Sequence, residues 1–454
     1  MQIRKILAVA AVVCAAAALH ADDRFDKTLS RTVTYHGGGV TIDHRYGSVR
    51  VRAVHDNEVS VRAVIRASDA DFGKQINVTV SESSGGVEVR TSYPDRSFHY
   101  AFHGEFATSS EFSYSVELEV NVPENAPLTV RNRFGSIDVT GMKAASEIVG
   151  GQGAVSVHNA HGTQRIENSF GSVELVSAEG NVTITNTNGS VKALHVHGSV
   201  SLTSRFGSIA VEDVSGDAEV HSGNGSVDVQ DVRGRATVHN SFATTTVHGV
   251  GRDFVFTGNN SRVEAGNIGA AADITTTFDS VMVSNAGGNV TVKASNGNVN
   301  VVDAKANVTI DNRFGSVRAE HVRGSADVDN ANGSVTVGDV GGNVKIHTSF
   351  ASAFVKGAGG SVDVQNQNGA VSVSGLRAPC HAITLNTTFS SIKVTLPDNA
   401  GYDVNARTTF GHIATELPIT TNNLGEDMLT GRIGNGGCKL ELKTANGGIT
   451  IAKD

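Results

Sequence analysis

One position in this sequence recurs every 18 residues over more than half of the chain, and it is mostly filled alternately by Phe and Asn. The residues at this position are Phe134, Gln152, Phe170, Asn188, Phe206, Asn224, Phe242, Asn260, Phe278, Asn296, Phe314, Asn332, Phe350 and Asn368. A short fixed period is the signature of a solenoid, in which each repeat buries its apolar face only against its neighbours. The period therefore constrains the architecture strongly and the chemistry weakly.

Within each repeat, numbered from this Phe or Asn as position 1, Gly and apolar residues keep fixed places. Positions 2 and 11 are usually Gly, and positions 4, 6, 13 and 15 are usually apolar, as in Val299, Val301, Val290 and Val292. β-Branched residues two apart between Gly-marked turns predict two short, half-buried strands per repeat. We expect the Gly residues to supply positive φ angles at the corners.

The alternation of Phe with Asn makes the true sequence unit 36 residues long, which leaves three architectures open. One coil contains 18 residues with two strands, or one coil contains 36 residues with four strands, or antiparallel hairpins stack on each other. The first is favoured because similar motifs occur at both half-periods, and it places the Phe rings two layers apart, about 9.6 Å. The predicted fold class is all-β: a parallel β-solenoid, resembling a β-helix, of 18-residue two-strand coils with capping segments.

Two further positions carry structural expectations. We expect the Phe side chains at position 1 to pack into the core at the corners. Asn recurs at position 17, and its stacked amides either form hydrogen bonds along the solenoid axis or simply tolerate the turn. These Asn residues are Asn168, Asn186, Asn240, Asn312, Asn330 and Asn366.

The repeat register divides the chain into four parts. Residues 1–21 are predicted to be a signal peptide, and residues 22–130 an N-terminal β cap with irregular first repeats. Residues 131–379 form the regular solenoid, and residues 380–454 contain irregular repeats and a C-terminal cap. Caps are needed because a solenoid otherwise leaves open strand edges at its ends.

The N-terminal segment predicts export. Arg4 and Lys5 precede an apolar run of residues 6–19 and a plausible cleavage site at residues 19–21. The alternatives, a short membrane anchor or a lipoprotein at Cys14, are disfavoured because the run is shorter than the roughly 20 residues of a span and small residues do not precede Cys14. The expected location is the periplasm, the cell surface or the medium, with no integral membrane span after cleavage.

The charge balance argues against nucleic acid as a partner. The formal net charge is −8, and removing residues 1–21 takes away two further positive charges and no negative one. Phosphate binding needs a cationic surface, and so does attraction to anionic lipid.

Two cysteines remain in the exported chain, Cys380 and Cys438. A disulfide is the usual state of such a pair in an exported protein. The register places them about three repeats apart, near 14 Å, beyond the Cα reach of about 7 Å for a disulfide. We therefore expect two separate thiols.

Three segments resemble a known family. They are residues 120–130 (VNVPENAPLTV) leading to the Phe-Gly-Ser-Ile of residues 134–137, residues 394–404 (VTLPDNAGYDV), and residues 436–451 (GGCKLELKTANGGITI). With the repeats, they make the chain similar to the bacterial putative-adhesin family of domains of unknown function, numbered 4097. The resemblance implies a β-solenoid exported to the cell envelope and, more weakly, adhesion. It supplies no catalytic residues.

Residue patterns that indicate a metal site are weak. His195 and His197 would share one strand face, but no HExxH or clustered Cys/His pattern accompanies them, and the spacing of His99, His103 and Glu105 in an irregular segment is not diagnostic. Calcium-binding β-rolls place carboxylates in their turns. The acidic residues Asp228, Asp303, Asp327 and Asp363 do not occupy such loop positions, so no metal ligand or cofactor is predicted.

Catalytic patterns are weak as well. Glycoside hydrolysis needs two carboxylates roughly 5–10 Å apart, and the outward positions are mostly Ser, Thr, Asn and single charges. Ser at position 3 lacks the context of a nucleophile. The sequence therefore predicts no catalytic, cofactor-binding or metal residues. It predicts an exported, non-enzymatic, adhesin-like binding or envelope protein whose partner is a glycan or a protein. The alternatives are a polysaccharide-active enzyme and a passive envelope scaffold.

Overall fold

A computed structural model describes residues 25–83, 85–94 and 113–454. Residues 1–21, His99, His103 and Glu105 lie outside these ranges. The N-terminal region contains seven strands and, within the described residues, one short helix. The strands are β1 (Phe25–Thr34), β2 (Gly39–Tyr46), β3 (Val49–Val54), β4 (Glu58–Ala67), β5 (Asn77–Ser83), β6 (Gly86–Ser92) and β7 (Tyr114–Pro123), and the helix α1 (Ala70–Gln75) lies between β4 and β5.

The repeats then form pairs of strands, one from each of two long sheets. They are β8 (Leu128–Phe134), β9 (Ile137–Thr140), β10 (Ser146–Gln152), β11 (Val155–His161), β12 (Gln164–Phe170), β13 (Val173–Glu179), β14 (Val182–Asn188), β15 (Val191–His197), β16 (Val200–Phe206), β17 (Ile209–Val214), β18 (Ala218–Asn224), β19 (Val227–Val232), β20 (Ala236–Phe242), β21 (Thr245–Val250), β22 (Phe254–Asn260), β23 (Val263–Ile268), β24 (Ala272–Phe278), β25 (Val281–Ala286), β26 (Val290–Asn296), β27 (Val299–Ala304), β28 (Val308–Phe314), β29 (Val317–Val322), β30 (Ala326–Asn332), β31 (Val335–Val340), β32 (Val344–Thr348), β33 (Ala353–Ala358), β34 (Val362–Gln365), β35 (Val371–Ser374), β36 (Ile383–Asn386) and β37 (Ile392–Leu396).

The C-terminal region completes the two sheets. Its strands are β38 (Tyr402–Arg407), β39 (Ile413–Thr415), β40 (Ile419–Leu424), β41 (Met428–Ile433), β42 (Cys438–Lys443) and β43 (Ile449–Lys453).

The strand register confirms the 18-residue coil. Strands β12, β14 and β16 pair in parallel with a shift of 18 residues per layer, so that Ile184 lies opposite Ile166 on one side and Leu202 on the other. Parallel pairing between successive repeats rules out the 36-residue coil and the stacked hairpins. The result is a parallel β-solenoid of about 15 turns.

The core is the narrow space between the two sheets. Val299 and Val301 of β27 and Val290 and Val292 of β26 are all buried, as predicted for positions 4, 6, 13 and 15. β-Branched residues fill these positions because their branched side chains pack well on a pleated surface. One continuous apolar cluster runs from the first coil to the last.

The two corners of each coil are built differently, which corrects one expectation. Gly189, at position 2, has a φ of 123°, as expected. At position 11, Gly162 (φ 70°) and Gly180 (φ 128°) also have a positive φ, but Gly198 and the later Gly residues of this position do not. Gly198 is needed because an added Cβ would lie 2.2 Å from the carbonyl oxygen of Gly180 in the preceding coil. At this second corner a positive φ recurs at position 8, which is most often Asn or Asp and otherwise His, Ser or Gly.

The expectation of two free thiols is wrong. Cys380 and Cys438 form a disulfide, with 6.0 Å between their Cα atoms. The reason is the strand order at the C-terminal end, where the last coil inserts between two earlier ones. Strand β42 pairs with β36 on one side and β38 on the other, and β43 lies between β37 and β39. Cys380 therefore lies just before β36, and Cys438 begins the adjacent strand β42.

The N-terminal end has the same kind of insertion. Strands β2 and β3 pair with β8 and β9 on the inner side and with β6 and β7 on the outer side. Antiparallel strands then extend both sheets: β5 pairs with β6, and β4 lies between β1 and β7. At the other end β41 pairs antiparallel with β38 and β40. Among the residues described, no helix is long and apolar enough to cross a membrane.

Candidate binding surface

The Phe side chains at position 1 are exposed, contrary to the expectation that they pack into the core. We call eight of them the Phe ladder. Their exposed fractions range from 41% for Phe206 to 74% for Phe410. The members are Phe170, Phe206, Phe242, Phe278, Phe314, Phe350, Phe389 and Phe410.

The local strand geometry explains why these rings face solvent. In β16 the inward side chains alternate regularly up to Ser204, which is buried, but Arg205 and Phe206 after it are both exposed. The pairing with the next coil runs from Ser204↔Ser222 directly to Phe206↔Asn224. This irregularity breaks the alternation of inward and outward side chains, so position 1 points away from the core.

Asn fills the corner between successive Phe residues. Asn188 lies opposite both Phe170 and Phe206, and Asn296 lies opposite both Phe278 and Phe314. Since neighbouring strands are about 4.8 Å apart, successive rings are about 9.6 Å apart along the axis. The ladder is thus a row of bulky apolar groups separated by small polar ones.

The rearranged C-terminal coils preserve this alternation in space, although the sequence spacing changes. The N–H of Asn446 donates to the carbonyl of Thr388 (2.8 Å), and the N–H of Phe410 donates to the carbonyl of Ala445 (2.8 Å). Asn446 therefore lies between Phe389 and Phe410. The ladder continues without a break because the last coil inserts at that point.

At the N-terminal end the ladder merges into an aromatic cluster. Tyr46 and Phe134 occupy adjacent coils, and their rings stack with 5.1 Å between centroids and an interplanar angle of 2°. Tyr93 and Tyr114 pack edge-on against Tyr46. Burial, with a smaller contribution from the hydrogen bond to Tyr46, raises the pKa of Tyr114 to about 12.

Buried Asn side chains at position 17 fix the corner beneath the ladder. The Nδ2 of Asn186 donates to the carbonyls of Gly171 (3.1 Å) and Gly189 (3.0 Å), which belong to successive coils. Asn330 makes the same pair of bonds to Gly315 and Gly333. The bonds do run between coils along the axis. Most of them go to the backbone, but the Nδ2 of Asn312 also donates to the Oδ1 of Asn330 in the next coil (3.3 Å).

The opposite corner carries a polar groove. Its ridge is the run of position-8 residues with positive φ: Asn159, Ser177, His195, Asp213, Asp231, Gly249, Asn267, Asn285, Asp303, His321, Asp339, Gly357 and Gly375. One stretch of the groove encloses a volume of about 590 Å³, with Gly251, Gly269 and Gly287 in its lining and Arg233 and Lys305 towards its ends.

The histidines and acidic residues singled out in the sequence do not converge. His195 lies on the groove ridge with its Nδ1 3.1 Å from Asp213, and His321 contacts Asp303 at 3.1 Å. Asp228, Asp327 and Asp363 are on outer strand faces, where Asp228 and Asp363 accept hydrogen bonds from glutamines and Asp327 lies 3.7 Å from Lys345. In the described part of the chain, no group of three or more His, Cys, Asp or Glu side chains is placed to hold a metal ion.

Comparison with known families bears on the late part of the chain. Residues 266–452 match Toastrack DUF4097. The resemblance expected from the sequence is confirmed over this range. Two of the three segments that carry it, residues 394–404 and 436–451, lie within the match.

No curated protein matches the chain. A crystal structure of a putative cell adhesion protein from Clostridium sporogenes ATCC 15579 aligns with 9% identity over 95% of this chain and 100% of that chain, with a TM-score of 0.16. This TM-score is too low for an inference about fold or function.

Proposed function

We propose that the chain is an exported, non-enzymatic, adhesin-like solenoid that binds a partner at the cell envelope through its Phe ladder. The observation that carries this proposal is the exposure of eight Phe side chains in one row. Singly exposed apolar side chains are ordinary, but extensive exposed apolar surface marks interaction sites, and here eight large apolar side chains are aligned in one row. A purely structural corner would be filled equally well by the Asn that occupies alternate coils.

The proposed export rests on two independent features. Residues 1–21 have the charged start, apolar run and small-residue end of a signal peptide. The Cys380–Cys438 disulfide is of a kind that persists outside the reducing cytosol. Cell fractionation tests this part: the chain should be found in the periplasm, on the surface or in the medium, without residues 1–21. A cytoplasmic chain with an intact N-terminus would contradict it.

The binding part is tested by capture of the purified protein on isolated cell envelopes. Substituting Phe206, Phe242 and Phe278 together by Ser should abolish capture. Phe354→Ser is the matched control, because Phe354 is 45% exposed but lies on an outer strand face away from the ladder. Equal loss in both variants would contradict the proposal.

A turnover screen on envelope polysaccharides tests the non-enzymatic part. No turnover is expected. Robust turnover that is lost on substitution of a single outward Asp would replace the binding function with the polysaccharide-active alternative.

A further inference from the structure

We propose that the partner of the Phe ladder is a second copy of this chain, whose own ladder interdigitates with the first. This inference rests on the proposed function, since it names the partner of the same surface. Each Phe of one copy would enter the gap over an Asn of the other.

The period of the ladder favours this partner. Successive rings are about 9.6 Å apart, a distance set by two coils of the solenoid. A second copy has the same period because it has the same sequence. Once one ring of the second copy occupies a gap, all its other rings are therefore in register with the remaining gaps. An unrelated ligand would have to match this repeat over many coils.

The stacking of Tyr46 on Phe134 shows that the corner accommodates aromatic rings in adjacent coils. Their centroids are 5.1 Å apart and their planes are nearly parallel. A gap of two coils therefore has room for one additional ring between two Phe residues. Filling each gap with a partner ring would give a continuous stack, as in a steric zipper.

The residues around the ladder share one feature of an interface core, the depletion of charged residues. Positions 18, 1, 2 and 3 of the twelve corners from residue 169 to residue 370 contain four charged residues, Arg205, Arg262, Asp279 and Arg313. Arg205 lies over the ring of Phe206, with 5.4 Å between its Cζ and the ring centroid. The remaining residues are Gly, Ser, Thr, Ala, Gln, Asn and the Phe rings.

The available area suits a specific dimer. A half-exposed Phe leaves about 100 Å² accessible, and eight of them offer about 800 Å² on each partner, the size of a standard interface.

The geometry points to antiparallel rods related by a two-fold axis perpendicular to the solenoid. Placed midway between a Phe coil and an Asn coil, this axis sets every Phe opposite an Asn and closes the assembly at two copies.

Sedimentation velocity of the full exported chain, over concentrations up to about 100 μM, tests the inference, since an interface of this size gives micromolar or tighter binding. The wild type should shift from monomer to dimer. Replacing Phe206, Phe242 and Phe278 by Ser should raise the dissociation constant at least about 100-fold. Phe354→Ser should leave it unchanged.

A second variant separates interdigitation from general hydrophobic association. Replacing Asn224, Asn260 and Asn296 by Phe adds apolar surface but fills the gaps. Interdigitation predicts loss of the dimer, whereas non-specific association predicts more of it. Circular dichroism and thermal melting must show that each variant is folded.

The two proposals fail in different ways. A wild type that stays monomeric at all concentrations, or a gap-filled variant that associates more strongly, overturns the second-copy inference. Envelope capture that depends on the Phe ladder would still support the proposed function in that case. If the wild type neither forms a dimer nor is captured on envelopes, both the second-copy inference and the proposed binding function are overturned.

Discussion

Cys380 and Cys438 are joined in a disulfide across 58 residues of sequence because the last coil of the chain lies between two earlier ones. The bond links the segment that precedes β36 to the first residue of β42. It therefore holds the inserted coil in the position that sets Asn446 between Phe389 and Phe410. The C-terminal part of the Phe ladder depends on this arrangement.

Replacing both cysteines by Ser should destabilise the C-terminal end of the solenoid. Chain entropy for a loop of this length gives a loss of up to about 4 kcal/mol. The loss is measured by unfolding the protein in denaturant and using protease cleavage within β38–β43 as the readout. The wild type with its disulfide reduced is the matched comparison. A double variant whose C-terminal coils unfold at the wild-type denaturant concentration would contradict this prediction.

His44 should make the first coil sensitive to acid. Its side chain is buried and hydrogen-bonded to Thr91 (3.0 Å), and burial lowers its pKa from 6.5 to about 4. The unfolded chain therefore takes up a proton at a higher pH than the folded chain. Stability from this residue is complete above pH 6.5 and falls as the pH drops towards 4, by up to about 3 kcal/mol.

His44→Asn provides the comparison, because Asn132 is the register partner of His44 in the adjacent coil. The difference in unfolding free energy between wild type and variant should be constant above pH 7 and change between pH 6.5 and 4. A difference that does not vary with pH would show that His44 is not buried in its neutral form.

Asn186 should contribute far more to the free energy of unfolding than Asn188 at the same corner. Asn186→Ala removes two hydrogen bonds and leaves the carbonyls of Gly171 and Gly189 without that donor, at a cost of about 1–3 kcal/mol. Asn188→Ala, two residues later on the partly exposed corner, should cost less than about 0.5 kcal/mol. Chemical denaturation of both variants measures the costs, and equal values would contradict the role assigned to position 17.

Gly189→Ala should damage the solenoid more than an ordinary corner substitution. An added Cβ would lie 2.3 Å from the carbonyl oxygen of Gly171, and the φ of 123° disfavours a side chain. We expect a loss of at least about 2 kcal/mol. Ser190→Ala is the control, and a Gly189→Ala variant as stable as this control would show that the coils separate easily.

The regular part of the fold follows from the sequence because one 18-residue spacing determines both the strands and their parallel register. The ends do not follow from it. The interval from Phe389 to Phe410 is 21 residues, and no local pattern shows that the coil containing Asn446 enters between them. Pairing order is a three-dimensional property, and for this reason the expected distance between the cysteines was wrong.

The sequence predicted where the Phe residues of the candidate site recur, but not that their side chains are exposed. The period places a Phe at every second corner, but it does not say whether the ring points inward or outward. That direction depends on the irregularity between Ser204 and Phe206, which hydrophobic alternation alone does not reveal. The ridge of the opposite groove did leave a signal, because Asn and Asp at position 8 tolerate positive φ better than most residues.

Hydroxyl-radical footprinting of Phe side chains tests the central claim most directly. In the free protein, at a concentration where it is monomeric, Phe206, Phe242 and Phe278 should be modified much faster than the fully buried Phe254 and Phe256. On binding to envelopes, the three ladder residues should become protected while Phe354 remains reactive. Slow modification in the monomeric protein, or protection of Phe354 without protection of the ladder, would contradict the assignment of the Phe ladder as the binding surface.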